Sequence, residues 1–155
     1  YRSTTFEHVN DGVDAELFAY HFRVHNDSVV RLWRVYDFVA DCPVDIEASF
    51  LEETPVVTDL NQDGVVEIWL LYRTACRGDV SPSKMKIIMY QGTQKFAMRG
   101  ESRVSVGKDE SGTRHYLGGR YAFDPAFYEG PRSFREFAKQ LWDNNVVDMF
   151  NDIPE

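Results

Sequence analysis

Between Asp59 and Glu67 the chain reads Asp-Leu-Asn-Gln-Asp-Gly-Val-Val-Glu, and no other stretch restricts the fold as much. Oxygen-bearing side chains recur at every second position, Asp59, Asn61 and Asp63. Gly64 then permits a sharp turn, and Glu67 closes the run. Alternate residues of a tight loop can point inward together, which is what a hard cation with several oxygen ligands requires. The expected ligands of one Ca²⁺ are the side chains of Asp59, Asn61, Asp63 and Glu67 and the backbone carbonyl of Val65. The competing reading is an Asn/Asp/Gly-rich hairpin turn that holds no metal.

An EF-hand is excluded, because its twelfth position is a carboxylate and here it is Leu70, and because that motif needs a helix on each side. The flanks, residues 55–58 and 65–72, are short and rich in β-branched and aromatic residues, which predicts strands. A cation loop with its acid at the ninth position, set between two strands, resembles the calcium loops of FG-GAP and VCBS repeats, the blades of integrin-type propellers. The chain shows no internal repeat at a blade period, and a blade cannot bury its faces alone. What the resemblance implies is therefore a calcium loop and not a full propeller.

The rest of the chain reads mostly as strands. Residues 16–24 alternate apolar and polar, His25-Asn26-Asp27-Ser28 turns them, and residues 29–39 carry apolar side chains on both faces. That two-faced pattern predicts a central strand covered on both sides. Ile46, Ala48 and Phe50 mark another strand. Residues 84–90 and 95–99 form a hairpin about Gln91-Gly92-Thr93, with Met85, Ile87, Met89, Phe96 and Met98 facing inward and Val104 and Val106 finishing the return strand. Residues 115–123 predict one more strand, interrupted at Gly118-Gly119. Past the Gly130-Pro131 break, Ser133 and Glu136 fit a capping box. Phe134, Phe137, Ala138, Leu141 and Trp142 then recur at helical spacing. Strands in succession followed by one helix predict a single α+β domain over residues 1–155, mostly an antiparallel β meander with a C-terminal helix.

Charge is unevenly placed. The 155 residues hold 17 basic and 25 acidic side chains, a net charge of −8, which argues against nucleic acid as the main partner. From Arg34 to Arg73 no Lys or Arg intervenes, while Asp37, Asp41, Asp45, Glu47, Glu52, Glu53, Asp59, Asp63 and Glu67 all fall there. Such a run repels itself unless a cation offsets it. From Arg73 to Arg120 the balance is reversed, so a sheet built from both segments sets opposite charges on neighbouring strands. No apolar run reaches the roughly 18 residues of a membrane helix. A chain that begins at Tyr1 rather than Met is expected to be a processed or trimmed product.

Cys42 and Cys76 suit either two free thiols or one disulfide that would enclose the cation loop. Such a bond forms outside the reducing cytosol. More widely, Thr58-Asp59-Leu60-Asn61-Gln62-Asp63-Gly64, Tyr72, Cys76-Arg77-Gly78-Asp79-Val80-Ser81-Pro82 and Lys86-Ile87-Ile88-Met89-Tyr90 are similar to stretches of exported bacterial proteins loosely described as surface-polysaccharide biosynthesis proteins. That resemblance implies a periplasmic or cell-surface location and no activity.

Chemistry is otherwise thinly signalled. Arg77-Gly78-Asp79 is the tripeptide integrins recognise on exposed loops, and it is also ordinary turn chemistry. His8, His21, His25 and His115 make no zinc spacing. Asp124 and Glu129 could act as an acid–base pair, or are simply solvated loop acids; Tyr116, Tyr121, Phe123, Phe127 and Tyr128 could stack on sugar rings, or most of them are more simply core or rim. No GxSxG, P-loop or Rossmann pattern is present, so no catalytic residue is assigned. Two functions follow: a calcium-stabilised binding or structural module outside the cytoplasm, with a glycan or surface protein as partner, or a glycan-active hydrolase that uses loop carboxylates.

Overall fold

Apolar side chains on both faces of residues 68–72 demand cover on both sides, and the fold is arranged to give it. The computed structural model describes residues 5–149. Its elements run β1 (Val13–His25), β2 (Ser28–Cys42), β3 (Asp45–Phe50), β4 (Val56–Thr58), β5 (Glu67–Arg77), β6 (Lys84–Gln91), β7 (Gln94–Glu101), β8 (Arg103–Lys108), β9 (Arg114–Gly118), β10 (Tyr121–Phe123), α1 (Pro125–Glu129), α2 (Arg132–Asn145) and β11 (Val147–Asp148). Strands β5, β6 and β7 form an antiparallel meander, with β10 beyond β7. The other edge of β5 is shared end to end, by β4 against Glu67 to Trp69 and by β3 against Tyr72 to Arg77.

One face of this sheet carries Trp69, Leu71, Met85, Ile87, Met89 and Met98, and α2 covers it with Phe134, Ala138, Leu141 and Trp142. The opposite face carries Leu70, Tyr72, Ile88, Tyr90 and Ala97, and the β1–β2 hairpin lies on it through Leu17, Trp33 and Val35. Strand period 2 and helix period 3.6 thus meet in one core on each side of the sheet. The class is α+β as expected, mostly antiparallel strands, and the described residues form no closed barrel and no propeller. Among the described residues no helix is long and apolar enough to cross a membrane.

Several local expectations are corrected. Strand β2 is not central: it pairs only with β1 in a two-stranded ribbon, so its second apolar face, with Phe38 at 45% exposure, looks outward. The return strand of the β6–β7 hairpin ends at Glu101. Residues 104 and 106 belong to β8, in a separate sheet ordered β11-β8-β9. Residues 115–123 split into β9 and β10 in different sheets, because Gly118 has φ +77° and lies where a Cβ would come within 2.2 Å of the Ser102 carbonyl oxygen. The capping box does not form. Pro131 is the N-cap of α2, Ser133 lies inside the helix, and Glu136 Oε1 accepts from Arg132 Nε at 2.7 Å instead.

Two cross-links hold the far end of β5. Cys42 and Cys76 are bonded, with 5.6 Å between their Cα atoms and a sequence separation of 34, tying the ribbon to the sheet. On the α2 side Arg73 donates to the carbonyls of Asn145, at 2.5 Å, and Val147, at 3.1 Å, where a cation complements the helix C-terminus. Asp148 sits between Arg73 at 3.5 Å and Arg77 at 3.0 Å, and accepts from the hydroxyls of Ser83 at 2.6 Å and Ser102 at 3.2 Å. The expected opposition of charges on neighbouring strands occurs where Arg77 of β5 meets Glu47 of β3, while Lys86 meets Asp37 between the sheet and the ribbon.

Burial alone would raise the Asp148 carboxyl. The Ser83 and Arg77 hydrogen bonds and the charges of Arg73 and Arg77 outweigh it and hold the group below the ordinary carboxylate value. A depressed native pKa stabilises the fold above the unfolded value of about 3.9, and that contribution is lost as pH falls through the native value. Asp148→Asn removes the carboxylate beside Arg73 and leaves Arg77 to Glu47 at 3.6 Å, and should cost about 3–5 kcal/mol at pH 7. In urea titrations the gap to wild type should close as pH drops below about 4, and a gap constant down to pH 2 would contradict the assignment. Replacing both cysteines by Ala should remove up to roughly 4 kcal/mol in the chain-entropy model. In calorimetry that is a fall in melting temperature of about 8–15 °C, and an unchanged melting point would show the bond to be energetically idle.

Candidate metal centre

The cation loop joins β4 to β5. Thr58 pairs with Glu67 at the base of the hairpin, so the loop spans residues 59–66. Two left-handed residues bend it, Gln62 at φ +56° and Gly64 at φ +80°. Nothing lies within 4 Å of a Cβ built on Gly64, so its conformation, and not space, calls for glycine there.

Asp59, Asn61 and Asp63 are turned mainly to the loop's own polar groups. Asp59 accepts the N–H groups of Asp63 and Gly64, each at 3.2 Å. Asp63 Oδ1 accepts from the Val65 N–H at 2.8 Å, and its Oδ2 accepts from Asn61 Nδ2 at 2.8 Å. Glu67 lies beneath, fully buried, where its Oε2 accepts from the Leu60 N–H at 2.9 Å and from the Thr58 hydroxyl at 2.7 Å. Thr58 Oγ1 in turn accepts from the Trp69 indole N–H at 2.8 Å. A polar chain thus descends from the loop into the α2-side core. Its last oxygen, Glu67 Oε1, is buried with no hydrogen-bond partner, and among the described residues no Lys or Arg pairs with Glu67.

In this geometry no three His, Cys, Asp or Glu side chains among the described residues converge closely enough to hold a metal ion. The donor set itself is all oxygen, which suits Ca²⁺ and disfavours softer metals. The buried Glu67 Oε1 at the base of the loop is an acceptor without a partner, and in that respect the residues present fit a hard cation. The sequence reading did not find the supports of the loop. Thr58, Trp69 and Gln91 lie outside the alternating pattern. Gln91 was legible only as a turn residue, although its Nε2 donates to Asp63 Oδ2 at 2.9 Å and to the Val65 carbonyl at 3.3 Å.

The remaining candidates are dispersed. His8 pairs with Asp14 at 2.8 Å, and that hydrogen bond raises the imidazole above its usual range. His115 pairs with Asp109 at 2.9 Å in the β8–β9 loop. The Asp109 carboxyl is held at about 2, first by the Ser111 hydroxyl and then by His115 and the Thr113 N–H. Both are side-chain latches of exposed turns. Asp124 is the N-cap residue of α1 and pairs with Arg99, while Glu129 is exposed at the end of the same helix. Of the expected aromatic platform, Phe127 is fully buried in the core. Tyr121 and Phe123 meet at 69° and Phe123 and Tyr128 at 86°, so these rings do not share one flat face. The Arg77-Gly78-Asp79 tripeptide is not presented whole, since Arg77 is buried against Asp148 and Glu47.

Two cavities flank the ribbon. One of about 420 Å³ lies beside the disulfide, where Asp37 is its single acidic wall residue. The other, of about 380 Å³, is lined by Trp33, Phe50, Ile68 and Leu70, with His21 its single titratable group apart from Tyr20. Neither gathers a pair of carboxylates. Comparison with protein-family models, with curated proteins and with solved structures finds no match to this chain.

Proposed function

We propose that the β4–β5 loop binds one Ca²⁺ through Asp59, Asn61, Asp63, the Val65 carbonyl and Glu67. On this reading the chain is a calcium-stabilised, disulfide-bonded binding or structural module that acts in the periplasm or at the cell surface, with a glycan or a surface protein as partner. The observation that carries the metal is Glu67. A carboxylate buried without a counter-charge costs several kcal/mol, and one of its oxygens has no partner. A divalent cation at the base of the loop supplies both the charge and the missing contact. The disulfide supports the location, since such bonds persist in oxidising compartments.

The ion is structural and permanent. A calcium switch needs an element that moves when the ion arrives, as a helix pair does in sensor proteins. Here β5 is paired along both edges, with β4 on one side and β6 on the other. The hydrolase reading gains no support from the carboxylates named for it, because Asp124 is engaged by Arg99 and Glu129 is exposed at the end of α1.

Calorimetric titration of chelator-stripped protein should show one calcium site, lost in Asp63→Ala and in Glu67→Gln. No heat of binding at millimolar calcium would remove the proposal. An ion at 100 times its dissociation constant stabilises by about 2.7 kcal/mol. Chelation should therefore lower the melting temperature by about 5–10 °C while the circular dichroism at 25 °C stays almost unchanged. A large spectral change with little change in melting point would make the loop a switch.

A further inference from the structure

Gln91 ends β6 and stands directly opposite Glu67 in the β5–β6 register. Opposed residues on neighbouring strands project from the same face. The Gln91 amide therefore leaves the sheet on the side where Glu67 supports the loop. Its Nε2 reaches two expected ligand atoms at once, Asp63 Oδ2 at 2.9 Å and the Val65 carbonyl oxygen at 3.3 Å. A side chain from a different hairpin is thus placed against two expected metal-facing oxygens of the loop.

Resting on the calcium reading above, the geometry points to Gln91 as a sixth protein ligand, with its Oε1 turned to the ion. A carboxamide carries a donor and an acceptor in nearly the same outline. A half-turn about its last torsion exchanges the N–H for the carbonyl oxygen while the rest of the side chain stays in place. Without the ion, the N–H side satisfies a carboxylate and a carbonyl. With the ion between those oxygens, the same position calls for a third oxygen.

Coordination number favours this assignment. Ca²⁺ takes six to eight oxygens from protein and water, and the five-residue loop set, counted one oxygen each, leaves room for a sixth protein oxygen. Gln91 supplies it without charge, which matters because Asp59, Asp63 and Glu67 already repel one another when the ion is absent. The assignment also changes what the ion ties together. A loop-only site joins β4 to β5, whereas a site that includes Gln91 fastens the β6–β7 turn as well, so one ion secures three consecutive strands and a second hairpin.

The test is calcium titration by calorimetry on the wild type, Gln91→Ala, Gln91→Glu and Gln94→Glu. Gln94 is the exposed partner of Gln91 across the β6–β7 turn, and its variant adds the same charge without replacing the amide. Loss of the Gln91 oxygen should weaken binding about ten-fold or more. Gln91→Glu should bind at least as tightly as wild type, and tighter than Gln94→Glu. Melting curves of all four proteins in excess chelator serve as the fold control. If wild type binds calcium and Gln91→Ala binds equally well or more tightly, Gln91 is not a ligand and the loop reading stands without it. Equal affinities for the two Glu variants, both above wild type, would reduce the Gln91 effect to general charge and overturn the assignment. If wild type does not bind calcium, the loop reading and this inference fall together.

Discussion

Burial of β5 is the constraint on which the structure depends. Every residue from Glu67 to Arg77 except Ile68 and Cys76 is buried, and successive side chains go to opposite cores. Burying a large apolar side chain is worth about 1.5–3 kcal/mol, so Trp69, Leu70, Leu71 and Tyr72 commit both α2 and the ribbon to their places. A one-residue slip of β5 against β6 would exchange the two faces and bring Arg73 and Glu67 under the ribbon. The register is thus set by packing, and the polar groups at each end of the strand are carried into the interior by it.

Those two ends solve the same electrostatic problem differently. At the far end Arg73 and Arg77 are buried against the partly buried Asp148, and the hydroxyls of Ser83 and Ser102 add hydrogen bonds to that carboxylate. Two interior guanidinium groups share Asp148 there, with Glu47 beside Arg77, although Arg73 Nε itself has no hydrogen-bond partner. At the near end Glu67 is more deeply buried and has two donors on one oxygen and none on the other. Glu67 has no Lys or Arg partner among the described residues, and the oxygen-rich loop lies directly above it.

What could be read from the sequence follows from how local each signal is. The alternation of Asp59, Asn61 and Asp63, the β6–β7 hairpin and the apolar stripe of α2 are all written within a few residues, and the elements form where expected. The ribbon could not be read in the same way. Val30, Leu32, Tyr36 and Phe38 against Val29, Trp33, Val35 and Val39 form the pattern of a strand covered on both sides, and a single strand does not say which of its faces stays open. Gln91 was hidden for a related reason, because its meaning comes from the strand opposite it. The Ser133–Glu136 spacing failed because Pro131 starts the helix two residues earlier, and the five residues of α1 carry Phe127 into the core, the simpler of its two expected places.

The broken edge of β5 explains why cross-links are concentrated there. β3 and β4 share that edge, and β4 has only three residues, so few ladder hydrogen bonds hold it. Polar groups compensate: Trp69 donates to Thr58, Thr58 to Glu67, and Glu67 reaches forward to the Leu60 N–H. The β3 half has six residues and is secured near its start by the disulfide on the neighbouring residue of β5. Both halves of the edge therefore end in a lock, a covalent one beside Ile46 and Cys76 and a polar one at Thr58 and Glu67. If the polar lock is completed by an ion, its removal should loosen β4 and the loop before anything else. The ribbon-side core gathers no residue of β4 or the loop and should be the last to feel the loss, whereas the α2-side core takes in Val56 and Leu60 and holds Trp69, which donates to Thr58.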